Sequence, residues 1–272
     1  MFIIRTIVTV IVSGAIAAGS ILSPPDKYIA LTFDDGPRPE VLLGENGLLD
    51  VLDGHSAKAT FFFMGWLLAD EKGSAYAAAK DAHQRGHEIE NHTYGHGAFR
   101  AMSDRYGEEW IFNDIEKASA RIEALTGRRP TIVRPPEWSI WEDMRMKLEA
   151  RGYRVATKST TGVFEPLITE DVDTEDYHLY EEPLDEAAKQ KRLYDLVLQK
   201  IERRERRGAY GHILVFHELS MSREAMVALI PELRKKGYGF VTLDDYLKTL
   251  ESARLRTPSR YVGDMLRAWL WK

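Results

Sequence analysis

The sequence predicts an α/β fold, a distorted (β/α) barrel of seven or eight strands that resembles a TIM barrel. Short apolar runs alternate with longer amphipathic segments from Lys27 onward, which is the pattern of βα units around a parallel sheet. Most of the apolar runs lack polar alternation, as is typical of strands covered on both faces. Polar residues follow several of these runs, and the chemistry of such barrels lies where strands end.

Seven apolar runs are predicted to form strands. They cover residues 28–33, 59–64, 88–91, 131–133, 154–157, 212–216 and 240–243. The segments between them are predicted to be helical, and the four clearest cover residues 67–84, 104–125, 141–151 and 222–236. A glycine stands just beyond each of these four segments, where a left-handed residue commonly ends a helix. No repeat or low-complexity linker interrupts the series.

Composition narrows the class of protein. The chain has 272 residues, of which 44% are hydrophobic, so it can bury a full core. Its length fits a single barrel of about 250 residues as well as two smaller domains. Its net charge of −5 gives no general attraction to nucleic acid, and no nucleic-acid partner is expected. Because the chain has no cysteine, disulfides, thiolate metal sites and a cysteine nucleophile are excluded.

The amino-terminal segment, residues 1–25, is predicted to be a signal peptide or a membrane anchor. Residues 6–22 are almost wholly apolar or small and follow Arg5, although the run falls a little short of the roughly 20 residues that span a bilayer. A small-x-small site at Ala15-Ile16-Ala17 leaves cleavage and retention both open. We expect export, to a secreted, periplasmic or outward-facing membrane-anchored location. A buried first core helix is the alternative.

The barrel is predicted to span residues 26–250, and two segments do not follow its alternation of strands and helices. Residues 165–182 are acidic and poor in strand formers, so we predict a solvated loop, in which one or two carboxylates could have a supporting role. Residues 251–272 are predicted to be a C-terminal amphipathic helix, because apolar residues recur at helical spacing beside basic ones. Such a helix would pack on the barrel or lie at a membrane surface.

Two neighbouring carboxylates, Asp34 and Asp35, follow the first predicted strand and precede Gly36-Pro37, which stops that strand. Neighbouring side chains at a strand end project in different directions, so the two carboxylates can have different chemical roles. One carboxylate can bind a metal while the other takes a proton from water. A solvated Asp-Gly turn is the alternative interpretation of this motif.

The histidines His92 and His96 are four residues apart, and one helical turn would place them on the same face, as in imidazole pairs that bind zinc. With Asp35 they would supply three protein ligands and leave a position open for water. An open position predicts a catalytic metal rather than a structural one. Taken alone, two histidines at this spacing could equally be structural residues.

Two further residues stand at predicted strand ends. Arg134 could fix its guanidinium against a carboxylate such as Asp34. His217 ends a strongly apolar run and could deliver a proton to a leaving group. Asp173 or Asp176 could orient this imidazole and raise its basicity. Taken alone, His217 could equally be a surface histidine.

In combination these segments resemble the polysaccharide deacetylase family, carbohydrate esterase family four. The family's Thr-Phe-Asp-Asp-Gly-Pro motif stands unaltered at 32–37, and its His-Ser/Thr-x-x-His motif stands at 92–96. The third motif begins with Arg134, the fourth is similar to 173–177, and the fifth is similar to 215–217. The similarity covers roughly residues 27–250, in the family's order.

The resemblance implies hydrolysis of an N-acetyl or, less often, an O-acetyl group of an amino-sugar polymer. It implies one divalent metal ion, usually Zn²⁺ with Co²⁺ or Ni²⁺ as alternatives, bound by Asp35, His92 and His96. Asp34 would be the general base and His217 the general acid.

The resemblance also implies supporting residues. Arg134 would position Asp34, and Asp176, or as second choice Asp173, would tune His217. The backbone N–H of Glu137 would help to hold an oxyanion. Residues expected to contact substrate are Pro136, Glu137, Trp138 and Val215.

Some positions depart from the family's pattern. Glu137 stands where tyrosine is common, Tyr177 stands where tryptophan is usual, and residues 167–170 lack the tryptophan common before the fourth motif. In the family these positions belong to the substrate groove, so these departures leave the identity of the polymer undetermined.

The expected partner is a polysaccharide that contains N-acetylglucosamine, with peptidoglycan or a chitin-like oligomer as the leading substrates. The alternatives are a non-catalytic glycan-binding barrel and an amidase for small non-sugar amides. The sequence indicates no oligomeric state.

Overall fold

A computed structural model describes residues 27–157, 168–169, 172–209 and 211–256. In this part of the chain nine strands form a parallel sheet. The strands are β1 (Lys27–Gly36), β2 (Ala59–Phe63), β3 (Glu88–Asn91), β4 (Ile132–Val133), β5 (Arg154–Thr157), β6 (Ile168–Thr169), β7 (Val172–Asp173), β8 (Gly211–His217) and β9 (Tyr238–Phe240).

Helices connect these strands. They are α1 (Pro39–Leu42), α2 (Leu48–Gly54), α3 (Ser74–Gln84), α4 (Phe99–Tyr106), α5 (Glu108–Thr126), α6 (Glu142–Glu149), α7 (Asp176–Glu181), α8 (Glu186–Glu205), α9 (Ser220–Lys235) and α10 (Leu243–Arg256), with 3₁₀ turns at Gly65–Leu68 and Pro136–Trp138.

The strand order is β6-β5-β4-β3-β2-β1-β8-β7. The remaining strand, β9, pairs with residues 27–29 of β1, before the stretch of β1 that pairs with β2. Since every pairing is parallel, the carboxyl ends of all strands lie at one edge. The predicted α/β barrel-like fold is confirmed.

The sheet is curled, and its inner face closes on α10. Ala156 of β5 and Ile213 of β8 belong to the same buried cluster, although four strands separate β5 from β8 in the sheet order. Leu243 and Tyr246 of α10 complete this cluster. The helix thus fills the inside of the sheet with apolar side chains, as a barrel interior requires.

The outer face of the sheet carries the larger apolar core. The ring of Phe33 in β1 stacks between Phe61 of β2 and Phe216 of β8, with centroid distances of 5.4 and 5.6 Å. Leu229 and Leu233 of α9 pack in the same cluster. Both faces of β1 are therefore buried, which explains why its sequence shows no polar alternation.

Two of the predicted helices are each interrupted by a glycine. The segment 67–84 divides into a 3₁₀ turn and α3, because Asp70 accepts the Gly73 N–H in a turn and α3 begins only after it. The segment 104–125 divides between α4 and α5 at Gly107, where φ is +83°. Such a backbone angle suits glycine and ends a helix.

Two other predictions were wrong in part. The acidic segment predicted as a solvated loop contains β7 and α7, and Asp176 in it is completely buried. The last predicted strand, 240–243, lies too late in the sequence, because β9 ends at Phe240 and α10 already begins at Leu243.

The predicted terminal segments lie largely outside the described residues. This applies to residues 1–25, with their predicted signal peptide or anchor, and to residues 257–272 of the predicted C-terminal helix. Helix α10 continues across position 250 to Arg256. Among the residues that the structure describes, no helix has the length and apolar character needed to span a bilayer.

Two buried carboxylates, Glu88 and Glu90, lie on β3. Glu90 accepts hydrogen bonds from the backbone N–H groups of Thr131 and Ile132 and from Arg128. Burial and the charge of Glu88 raise the pKa of Glu90 to about 8. Glu90 therefore holds its proton more tightly in the folded chain than in the unfolded chain.

We expect Glu90→Gln to flatten the pH dependence of stability. A carboxyl whose pKa rises from 4.5 to about 8 on folding stabilises the fold below pH 4.5, and this contribution is lost as the pH rises to about 8. Melting temperatures at pH 5 and pH 8 should differ less for Glu90→Gln than for the wild type. Glu123→Gln, at an exposed position of α5, is the control, and an equal slope for all three proteins would contradict this account.

Candidate active site

The polar residues at the carboxyl edge of the sheet converge on the end of β1. Asp34 is buried there and stands directly opposite His217 of β8 in the strand register. The next residue, Asp35, has a left-handed backbone with φ of 67°. This change of backbone direction sends two successive carboxylates to different places, as the sequence predicts.

Three potential metal ligands meet beside this strand end. The Oδ1 atom of Asp35 lies 3.2 Å from His92 Nε2 and 2.9 Å from His96 Nε2. Their ligand atoms all lie within 4.8 Å of one another. The structure thus brings together the three residues that the sequence predicts as ligands.

The two histidines do not lie on a helix, which corrects the prediction from their spacing. They lie in a loop after β3, where Thr93 and His96 have left-handed backbones. Asn91 accepts the Thr93 N–H, and the Thr93 hydroxyl accepts the His96 N–H. Asp114 of α5 accepts the N–H groups of Tyr94 and Gly95, two of the three residues between the ligands. The loop is held by side chains rather than by helical hydrogen bonds.

The hydrogen bonds around His92 show that this cluster fits a cation. His92 Nδ1 lies 2.8 Å from the carbonyl oxygen of Arg134, so Nδ1 carries a proton and donates it. In a neutral imidazole the lone pair of Nε2 then points toward Asp35 Oδ1, a buried atom to which no described donor is hydrogen-bonded. Two opposed lone pairs repel unless a positive charge lies between them. One carboxylate and two imidazoles are ligands that Zn²⁺ prefers.

The second carboxylate, Asp34, is held by an arginine. Arg134 Nη1 lies 2.6 Å from Asp34 Oδ1 and donates to the hydroxyl of Thr32 at 2.9 Å. Arg134 is only 1% exposed, and its guanidinium covers the ring of Phe62 at 4.0 Å. This packing fixes the orientation of the Asp34 carboxylate.

On the other side of the site, His217 is held by Asp176. His217 Nδ1 lies 2.7 Å from Asp176 Oδ1, and the second oxygen accepts from the His217 N–H and from the Ser222 hydroxyl. Burial alone would lower the pKa of His217, but the hydrogen bond and the charge of Asp176, with Asp34 and Asp35 nearby, raise it to about 9. Asp173, the second choice from sequence, instead accepts the Glu175 N–H.

The residues predicted to contact substrate lie around this centre in different environments. Pro136 is buried, whereas Glu137 is exposed and has a left-handed φ of 53°. Trp138 is half-buried, with its ring 5.6 Å from the Arg134 guanidinium. Val215 is buried within β8, opposite Thr32. Their contacts with a substrate stay a prediction.

Sequence reasoning missed three polar residues of this region. Asp114 lies on the buried side of α5 among apolar residues, a position that could have indicated a structural role. Ser222 lies on α9 and carried no such signal. Glu218 stands next to His217 in the sequence, where a charged residue is typical of an exposed strand end, but it is only 1% exposed, and burial raises its pKa well above the usual value.

We expect His96→Ala to weaken zinc binding by more than about 100-fold, because loss of a residue that merely supports a ligand already costs about 10–100-fold. The measurement is a zinc titration of the metal-free full chain against a competing chelator. His83→Ala, on α3, should bind zinc like the wild type. Equal zinc affinity in the two variants would contradict the three-ligand assignment.

Comparison with known proteins agrees with this geometry. A family model described as polysaccharide deacetylase matches residues 22–156. The peptidoglycan-N-acetylglucosamine deacetylase PgdA of Listeria monocytogenes is 28% identical over 221 residues, which cover 81% of this chain and 39% of that protein. This chain thus spans about two fifths of the length of the first curated relatives.

Other relatives match over most of their length. A peptidoglycan-N-acetylglucosamine deacetylase of Bacillus cereus is 27% identical over 227 residues, which cover 82% of this chain and 89% of that protein. The solved structure of the peptidoglycan deacetylase PdaC from Bacillus subtilis has a TM-score of 0.65 and 25% identity, over 86% of this chain and 96% of that one. With the matched family model and the shared fold, these similarities show that the chain belongs to the polysaccharide deacetylase family.

Proposed function

We propose that this protein is a metal-dependent deacetylase that hydrolyses the N-acetyl group of N-acetylglucosamine units in a polysaccharide. One observation carries the proposal: Asp34 and His217 stand opposite each other on adjacent strands, and the cluster of Asp35, His92 and His96 lies beside them. A carboxylate base and an imidazole acid beside a cation site are the groups that amide hydrolysis needs.

The proposed metal is one divalent ion, bound by Asp35, His92 and His96. Two imidazoles and a carboxylate favour Zn²⁺, and Co²⁺ or Ni²⁺ are compatible with the same ligands. When bound, such an ion lowers the pKa of a coordinated water toward about 7 and polarises the substrate carbonyl.

Asp34 is the proposed general base. Its buried ion pair with Arg134 orients the carboxylate at the end of β1, next to the ligand Asp35. In this role Asp34 accepts a proton from the attacking water. The backbone N–H of Glu137 is the proposed second support for the oxyanion, and one such donor typically contributes about 2.7–4 kcal/mol.

His217 is the proposed general acid. Asp176 accepts from Nδ1, which leaves Nε2 to donate a proton to the sugar nitrogen as the C–N bond breaks. The raised pKa of His217, about 9, keeps the imidazole protonated at neutral pH. The products are acetate and a free amine on the sugar.

Peptidoglycan is the first proposed polymer, and a chitin-like oligomer is the second. The relatives named above are peptidoglycan deacetylases, and the apolar run at 6–22 supports export to where such a polymer is found. The exposed carboxylate of Glu137, in the segment that follows Arg134, would disfavour a strongly acidic polymer.

The decisive experiment measures acetate release from peptidoglycan, chitooligosaccharides, poly-N-acetylglucosamine, acetylated xylan and small non-sugar amides. We expect release from a polymer that contains N-acetylglucosamine, its loss with a chelator, and its recovery with zinc. Glycan binding without acetate would support the non-catalytic barrel instead. Release only from small amides would support an amidase.

We expect Asp34→Asn to lower kcat by about 10²–10⁴-fold, because it removes the proton acceptor. Zinc affinity should stay near that of the wild type, since Asp34 is not one of the three ligands. The two measurements are acetate release and zinc titration. Full activity in Asp34→Asn would show that another group accepts the proton.

We expect Asp176→Asn to move the alkaline limb of the kcat profile to lower pH, by about 1–3 pH units. Asp176 stabilises the protonated imidazole of His217, so its loss lets His217 lose its proton at lower pH. The control is Asp173→Asn, because the Asp173 carboxylate accepts the Glu175 N–H. This variant should leave the alkaline limb of the kcat profile in place. A limb that moves with Asp173→Asn and not with Asp176→Asn would reverse this assignment.

A further inference from the structure

We propose that Glu218 is a positioning residue, whose buried carboxyl group holds the turn that carries Asp35 against the strand end that carries His217. This role rests on the proposed function, since it serves the proposed metal site and general acid. Among the described residues, the Glu218 side chain makes no hydrogen bond to the side chains of the three proposed ligands or of the proposed base, Asp34. It acts through the backbone of residues 34–38.

Glu218 binds the end of β1 at two points. Its backbone N–H donates to the carbonyl oxygen of Asp34 at 3.0 Å. Its side-chain Oε2 accepts the Arg38 N–H at 2.7 Å. The residue that follows His217 therefore holds the backbone on both sides of Asp35.

The carboxyl group of Glu218 also occupies the space beside Gly36. A Cβ added at Gly36 would overlap Glu218 Oε1, and the carboxyl carbon is the next atom it would meet. Gly36 does not have a positive φ, unlike many other glycines of the chain. The glycine is thus required here by close approach of a side chain rather than by backbone angle.

This contact matters because Asp35 has a conformation that L residues rarely adopt, with φ of 67°. The surrounding structure must hold such a backbone in place. Without the Glu218 carboxyl group, the Arg38 N–H would lose its acceptor and space would open beside Gly36. The turn could then relax and move Asp35 away from His92 and His96.

The second oxygen of Glu218 gives independent support. Among the described residues, Oε1 is buried and has no hydrogen-bond partner. Burying a polar atom without a partner is unfavourable for folding, and such atoms in native structures call for an explanation. Fixing the turn at the proposed metal site explains why a carboxyl group is buried here.

The test compares variants at position 218 by zinc affinity of the metal-free full chain and by kcat for acetate release. We expect Glu218→Ala to weaken zinc affinity by about 10–100-fold, as for other residues that support a ligand. Glu218→Gln keeps an acceptor for the Arg38 N–H and should bind zinc within about threefold of the wild type. Should Glu218→Ala fail to fold, Glu218→Met fills the volume without an acceptor and should show the same loss.

A matched control separates positioning from stability. Leu229→Ala truncates a buried side chain on α9, the helix that follows Glu218, at a residue that makes no hydrogen bond to the 34–38 turn through its side chain. It should lower the melting temperature without changing zinc affinity. Wild-type zinc affinity in Glu218→Ala and Glu218→Met would overturn the proposal, as would an equal loss in Leu229→Ala.

A double-mutant cycle tests the contact with Gly36. Gly36→Ala alone should weaken zinc binding, because the added methyl group displaces the Glu218 carboxyl group. In the Glu218→Ala background the same change should have almost no further effect, so the two losses should be far from additive. Additive losses would refute the contact.

Zinc affinity is measured without substrate, so the positioning role of Glu218 and the proposed function can fail separately. A wild-type chain that released no acetate would refute the proposed function and leave the zinc-affinity test of Glu218 intact.

Discussion

The buried ion pair between Arg134 and Asp34 is the contact on which the rest of the site depends. Arg134 follows β4, and two strands lie between β4 and β1 in the sheet order. In a flat sheet, three strand spacings would separate them by about 14 Å. The curl of the sheet shortens the distance that the Arg134 side chain must bridge to place its Nη1 atom 2.6 Å from Asp34 Oδ1. Loss of one partner from such a buried pair typically costs about 3–5 kcal/mol, so curvature and site are coupled energetically.

The same arginine also serves the cation cluster. Its carbonyl oxygen accepts from His92 Nδ1, and this hydrogen bond directs Nε2 toward Asp35. Side chain and backbone of one residue thus orient the proposed base and a proposed ligand. Pro135 and Pro136 follow directly and restrict the backbone beyond it. A substitution at Arg134 would therefore disturb both parts of the centre.

The sequence predicted the residues at the strand ends well and their local backbone poorly. Parallel strands bring their carboxyl ends to one edge, so the meeting of Asp35 with His92 and His96 follows from the strand pattern. The spacing of the two histidines suggested a helix, but Asp114, distant in sequence, stabilises a loop there instead. The buried environment of Asp176 depends on Ser222 and the end of β8, contacts between distant residues that local composition does not contain.

The central strand β1 has a consequence for how the chain matures. Its residues 28–34 pair with 211–217 of β8. One edge of β1 therefore cannot form its backbone hydrogen bonds until about 180 further residues have been synthesised. Until then a long apolar strand exposes unpaired backbone groups, which is a hazard for intermolecular pairing. A chain truncated before residue 211 would keep this edge of β1 open. Chaperone capture and proteolysis would then compete with aggregation for the truncated product.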